Sequence, residues 1–196
     1  MTRRIETAIL ISGRGSNMES LIEAAGAEDF PARVCVVIAD RPNAGGLSRA
    51  QAMGVEAIAI DAKAWGSRAA FEAALEAALR RRGVELICLA GFMRILSADF
   101  VARWRGRALN IHPSLLPAYK GLRTHARALA DGAREHGCTV HWVTAELDAG
   151  EIVAQSRVPV SPGDTPDSLA ARVLDEEHRL YPRALCNVAR SLVGSD

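Results

Sequence analysis

The sequence carries almost no excess of charge: 24 basic residues face 23 acidic ones, for a formal net charge of +1. So balanced a chain gives no electrostatic reason to expect nucleic acid or an anionic membrane as partner, and any anion it binds has to be held by local groups. Long hydrophobic runs are missing as well. The longest, around 34–39 and 87–90, fall far short of the ~20 residues a membrane-spanning helix needs and read as buried strands. The start, MTRRIETAILIS, sets two arginines before apolar residues. Glu6 interrupts it and a glycine loop follows in place of a cleavage site, so no secretory signal is read and a cytoplasmic protein is expected. Cysteine is sparse. Cys35, Cys88, Cys138 and Cys186 lie far apart, without a CxxC pair and mostly among apolar neighbours, which predicts reduced core or half-buried thiols. No histidine pair has metalloprotease spacing, no Cys/His set has zinc-finger spacing, and neither a GxSxG elbow nor a P-loop occurs; no metal is expected.

What the 196 residues (21.0 kDa) do hold is an alternation of strand and helix from end to end, without repeats, low-complexity segments or a linker. Apolar runs at 5–11, 33–39, 56–60, 84–89 and 108–111 read as strands, with helices between them. The segment SRAAFEAALEAALRRRG is the plainest helix: Ser67 caps it, Phe71, Leu75, Ala78 and Leu79 share one face, and Gly83 stops it. Residues 138–143 and 151–160 alternate around TAELDAG as a pair of late strands. Thr165-Pro166-Asp167 starts a last helix reaching Val193, which Pro182 is expected to kink or divide. The pattern predicts an α/β fold, a mostly parallel twisted sheet of Rossmann-like form with helices on both faces, folded as a single domain over 1–196.

Two stretches carry chemistry. SGRGSN reads as strand, glycine turn and helix start, with Ser16 or Asn17 as the cap. Backbone N–H groups at such a start can hold a phosphate without any lysine. A plain turn is the bland alternative, and a dinucleotide site a third, with Asp40 as its ribose-binding acid. Against the third, Met18 stands where the fingerprint wants a small residue. In LNIHPSLLP, Asn110 and His112 are two apart and project from one strand face, while Pro113 and Pro117 stiffen the loop over the strand's carboxyl end. Asn110 can donate to a developing oxyanion, and His112 can donate or carry a proton; a hydrogen-bonded strand-end histidine is the alternative. Asp148, in ELDAG, is a candidate to orient His112, or else simple turn chemistry. His125 and His178 read as helix-surface residues, His136 as preceding a strand, and His141 as a strand position.

LISGRGSN, LAGFMRIL, LNIHPSLLP with YKGLRTH, HWVTAELDAG and EEHRLYP stand in an order that resembles the phosphoribosylglycinamide formyltransferase family, from Ile9 to about Pro182. The resemblance implies a single formyltransferase domain that passes a formyl group from 10-formyltetrahydrofolate to the glycinamide amine in purine synthesis. It implies small-molecule substrates and a monomer or weak homodimer. By motif it makes Asn110, His112 and Asp148 the catalytic trio. Gly15, Ser16 and Asn17 would hold the ribonucleotide phosphate and Glu177 its ribose, where Glu177 unaided reads as an exposed helix charge. Met93, Arg94, Ile95 and Leu96 would form the folate pocket with Asn110, Val143 and Arg68, and the 143–148 loop would close its pterin end.

Ala149 stands where glycine is expected in the ELDGG form of the loop, which predicts stiffening or strain at a positive φ, and Ala145 replaces a commonly acidic residue. Other enzymes using the same formyl donor form the alternative reading. A hydrolase would need a domain before the first strand, and a methionyl-tRNA enzyme a basic one after the last helix, for neither of which this chain has room. A sugar formyltransferase would lack a reason for the GSN loop. An NAD-binding oxidoreductase would leave Asn110, His112 and Asp148 without a task.

Overall fold

Residues 3–194 are described by the structure, a computed structural model. Along them run β1 (Ile5–Ile11), α1 (Ser16–Ala25), β2 (Ala32–Ala39), α2 (Gly46–Ala52), β3 (Ala57–Ala59), α3 (Arg68–Arg81) and β4 (Leu86–Leu89). Then come α4 (Ala98–Arg103), β5 (Ala108–His112), α5 (Thr124–Ala130), β6 (Glu135–Trp142), β7 (Ile152–Pro159) and α6 (Pro166–Val193). The strands form one sheet in the order β3-β2-β1-β4-β5-β6-β7. β1 to β5 are parallel, and β6 and β7 join antiparallel at one end. The chain leaves β1 toward β3 and comes back on the other side as β4, so the carboxyl ends of β1 and β4 flank the crevice where open sheets bind ligands. Two loops are tied there. The Ser12 N–H donates to the Gly91 carbonyl at 3.1 Å, and the Met93 N–H donates to Ser12 Oγ at 2.9 Å.

Side chains alternate across each strand, so one run of apolar residues feeds two cores. Ile9, Ile11, Val37, Cys88, Leu109 and Ile111 pack on one face with Met18 and Leu21 of α1 and Leu169, Val173 and Tyr181 of α6. Ala8, Leu10, Val36, Ile38, Ile87 and Ala108 pack on the other with Phe71 and Leu75 of α3 and Phe100 of α4. By the same parity Asn110 and His112 extend the second face, and each apolar side chain so buried is worth about 1.5–3 kcal/mol. Tyr181 ties α6 to the sheet: its hydroxyl lies 3.1 Å from the Leu89 and 3.2 Å from the Leu109 carbonyl oxygen, one residue before Asn110.

The helix starts follow local chemistry. Ser67 accepts the Ala70 N–H, Ser97 accepts the Phe100 N–H, and Thr165 and Ser168 cap each other reciprocally with Pro166 first in α6. The cap expected from Ser16 or Asn17 is corrected: Gly15, in the left-handed region at φ 80°, precedes α1 and no side chain caps it. Pro182 does not divide α6, which runs unbroken through its 28 residues. β6 begins at Glu135, so His136 lies inside the strand and is fully buried, while His125 and His178 are half-buried rather than surface residues. All four cysteines are free, Cys88 and Cys138 buried and the others half-buried. Among the described residues, no helix is long and apolar enough to cross a membrane.

Candidate active site

β5 ends by delivering Asn110 and His112 to the carboxyl edge of the sheet, and antiparallel pairing places Thr139 opposite His112 and His141 opposite Asn110. The loop that follows is pinned from beneath. Thr139 Oγ1 donates to the Ser114 carbonyl at 2.7 Å and accepts the Leu116 N–H at 3.1 Å, while Ser114 Oγ donates to the Ala118 carbonyl at 2.6 Å. These hydrogen bonds hold the loop in which Pro113 and Pro117 stand. His112 is buried, with each ring nitrogen facing an oxygen. Nε2 donates to the Tyr119 carbonyl at 3.0 Å, and Nδ1 lies 3.4 Å from Asp148 Oδ2.

Asp148 reaches this point from the β6–β7 loop. It is buried, its φ is 49°, and Oδ2 accepts the Gly121 N–H at 2.8 Å while Oδ1 lies 3.7 Å from His141 Nε2. The positive φ expected near Ala149 belongs to Asp148, and Ala149 is exposed with an ordinary backbone. The close approach falls one residue later, where a Cβ on Gly150 would sit 1.7 Å from the Trp142 carbonyl oxygen. A cavity of about 450 Å³ opens beside Asp148, walled by Leu116, Pro117, Lys120 and Ile152.

His141 joins the trio from β6. It is 3% exposed, its Nε2 lies 3.1 Å from Asn110 Nδ2, and its Nδ1 is 2.9 Å from the Trp142 carbonyl oxygen. Burial lowers its pKa, against the pull of that carbonyl and of Asp148. Neither strand alone contains this contact; it needs the register between them. His136 stands apart, fully buried against His125 and Tyr119, and burial pushes its pKa down to about 4.

On the other face of the sheet the glycine turn meets α6. The first helical bond of α1 runs from the Glu19 N–H to the Gly15 carbonyl at 3.0 Å, leaving the amides of Ser16, Asn17 and Met18 ahead of it without helical partners. A Cβ on Gly46 would meet Ile11 Cδ1 at 2.5 Å and the Gly13 carbonyl oxygen at 3.2 Å, so α2 packs directly against the turn. Asn17 Nδ2 donates to Glu177 Oε2 at 2.7 Å. Glu177 is thus a buried acid and not an exposed helix charge, and desolvation raises its carboxyl to about 7 against the lowering effect of Asn17.

Among the folate candidates, Met93 and Ile95 are two-thirds exposed, Leu96 is buried in the second core, and half-buried Val143 packs against that core. Arg94 lies over the Phe71 ring at 5.2 Å, with Nη1 3.9 Å from Asp40 Oδ2. Arg68 is exposed in the first turn of α3, one turn before Phe71. Asp40 is buried and also engaged by Arg41 at 3.2 Å, so its carboxylate is occupied by two cations rather than open to a ribose. Met18 is fully buried where the dinucleotide fingerprint wants a small residue.

An amide, an imidazole and a carboxylate gathered at the carboxyl end of a strand are the kinds of group that acyl-type transfer employs, on an α/β sheet. The chain belongs to the formyl transferase family, whose sequence profile matches residues 5–185. It is 46% identical over 192 residues to the trifunctional purine biosynthetic protein adenosine-3 of Gallus gallus, covering 98% of this chain and 19% of that protein. The chain therefore spans about a fifth of the length of that relative. It is 45% identical over 174 residues to the phosphoribosylglycinamide formyltransferase of Escherichia coli, covering 89% of this chain and 82% of that one. The crystal structure of phosphoribosylglycinamide formyltransferase from Brucella melitensis superposes with a TM-score of 0.92 at 52% identity, covering 95% and 96% of the two chains.

Proposed function

We propose that the chain is a phosphoribosylglycinamide formyltransferase, a single domain that formylates the glycinamide ribonucleotide amine with 10-formyltetrahydrofolate in purine biosynthesis, in the cytoplasm. One observation carries the reading: Asp148 meets the His112 ring at the carboxyl edge of the sheet, and His141 links both to Asn110 on the same strand face. The amides of Ser16 and Asn17, with Gly15 allowing the close turn, suit the substrate phosphate, and Glu177 suits its ribose hydroxyls. The loop at 93–96, with Arg94, Arg68 and Val143, suits the folate on the opposite face. Nucleophile and donor then meet at Asn110.

The amine nitrogen attacks the formyl carbon, a C–N bond forms, and the carbonyl oxygen gains charge. Asn110 donates to that oxygen from Nδ2, and His112 adds a second donor. Asp148 orients His112 and assists the proton lost by the amine toward N10 of the folate as the old C–N bond breaks. Because Nε2 of His112 donates to the Tyr119 carbonyl, donation to substrate through that atom requires this hydrogen bond to be shared or exchanged.

Purified protein mixed with glycinamide ribonucleotide and 10-formyltetrahydrofolate is expected to release tetrahydrofolate, followed by absorbance, only when the ribonucleotide is present. Release without it would make the protein a hydrolase, and no release with both would reject formyl transfer.

A further inference from the structure

The chemistry just described gives His141 no task, although it touches two of the three groups involved. Its two ring nitrogens face different neighbours. Nδ1 is 2.9 Å from the Trp142 carbonyl oxygen, which can only accept, so Nδ1 carries a proton whatever the rest of the ring does. Nε2 is 3.1 Å from Asn110 Nδ2, which can only donate, so Nε2 in that contact is bare.

We propose that His141 is a positioning residue for Asn110: as the neutral Nδ1–H tautomer it accepts one amide proton of Asn110 and so aims the other at the formyl oxygen. The proposal rests on reading Asn110 as the oxyanion donor. An asparagine amide can turn over, exchanging donor for acceptor, and a turned amide would present Oδ1 to the developing negative charge and repel it. A bare imidazole nitrogen behind Nδ2 favours the donating orientation before substrate arrives. The backbone selects the tautomer: His141 stands across from Asn110 in the β5–β6 pairing, and the carbonyl of its own neighbour accepts a hydrogen bond from Nδ1–H.

The titratable groups facing the ring are Asp148, whose Oδ1 is 3.7 Å from Nε2, and His112. Burial keeps the ring neutral, and His112 works in the same direction, while the Trp142 carbonyl and Asp148 oppose both. A second proton would sit on Nε2, turn toward Asp148 and displace the Asn110 amide protons. Acidification that charges the ring is therefore expected to lower kcat.

Nitrogen-15 NMR of the imidazoles in the unaltered, ligand-free protein reads the tautomer directly, with the His141 signals assigned by their loss in His141→Gln. Protonated Nδ1 and bare Nε2 at neutral pH are expected; a protonated Nε2 overturns the proposal. A double-mutant cycle reads the coupling. His141→Leu, of similar volume but without an acceptor, is expected to lower kcat about tenfold, the size of one hydrogen bond at the transition state, with both KM values within about twofold. His141→Gln, whose Oε1 can accept, is expected to recover most of that loss. In the Asn110→Ala background, His141→Leu is expected to change kcat by less than about twofold. An equal loss in both backgrounds overturns the proposal, and if the leucine variant does not fold, the NMR measurement decides alone. Absence of formyl transfer in the parent protein would reject the proposed function while the NMR measurement still judges the tautomer.

Discussion

Asp148 holds a left-handed backbone, φ 49°, that costs most side chains about 1 kcal/mol or more and aspartate less. The conformation turns its carboxylate inward, where it meets the Gly121 N–H, the His112 ring and the His141 ring. For His112 and Asp148, substitution by alanine is expected to lower kcat at least about a hundredfold while leaving the protein folded, since each removes one donor or its orienting partner. Steady-state kinetics beside a circular dichroism spectrum checks this, and turnover near the parent's would reject the assigned roles. At this scale the sequence is legible where strand periodicity works alone. Asn110 and His112 on one face follow from their spacing of two. Burial of Glu177 has a signal in the sequence: Leu169, Val173, Glu177 and Tyr181 recur at four-residue steps, which puts the acid on the apolar stripe of α6 and not among surface charges.

The β6–β7 connection is the element on which the site turns, because it alone carries Asp148 to His112. Its conformation depends on Gly150 more than on Ala149. A Cβ at 150 would stand 1.7 Å from the Trp142 carbonyl oxygen, so Gly150→Ala has to displace the backbone two residues after Asp148. A shift of about 1 Å at a catalytic group costs up to about a hundredfold; Gly150→Ala is expected to lose at least about tenfold in kcat, and Ala149→Gly to stay within about threefold. The reverse ranking would show that the alanine, and not the close contact, sets the loop. Helices were readable from their caps and periods, as at Ser67 and Thr165. α1 was not: a glycine at φ 80° stands where a side-chain cap was expected. His136 escaped because the start of β6 is polar, although it shares parity with the core residues Cys138 and Val140.

Across the whole molecule, the two faces of the sheet serve two substrates in the proposed reaction, and α6 spans one of them from Glu177 to Tyr181. Burial raises the Glu177 carboxyl from its ordinary 4.5 to about 7, so the folded protein keeps a proton there that the unfolded chain has already lost. Between these values the native state binds more protons, and the stability Glu177 contributes falls as pH rises through the window and levels off above it. Glu177→Gln, which can still accept from Asn17, is expected to melt above the parent at pH near 8 and to lose that advantage by about pH 4.5. A melting-temperature difference that does not change with pH would reject the raised carboxyl.

By itself the sequence determined the strands, most helix starts, the parity that feeds two cores, and the pairing of Asn110 with His112, because each follows from residues within a turn or a few steps of one another. Only the tertiary structure decided that His141 stands across from Asn110, that Asp148 reaches His112 from 36 residues on, and that Asn17 meets Glu177 over a separation of 160. Those contacts depend on strand register and on helices packing both faces at once, and no local pattern of residues contains either.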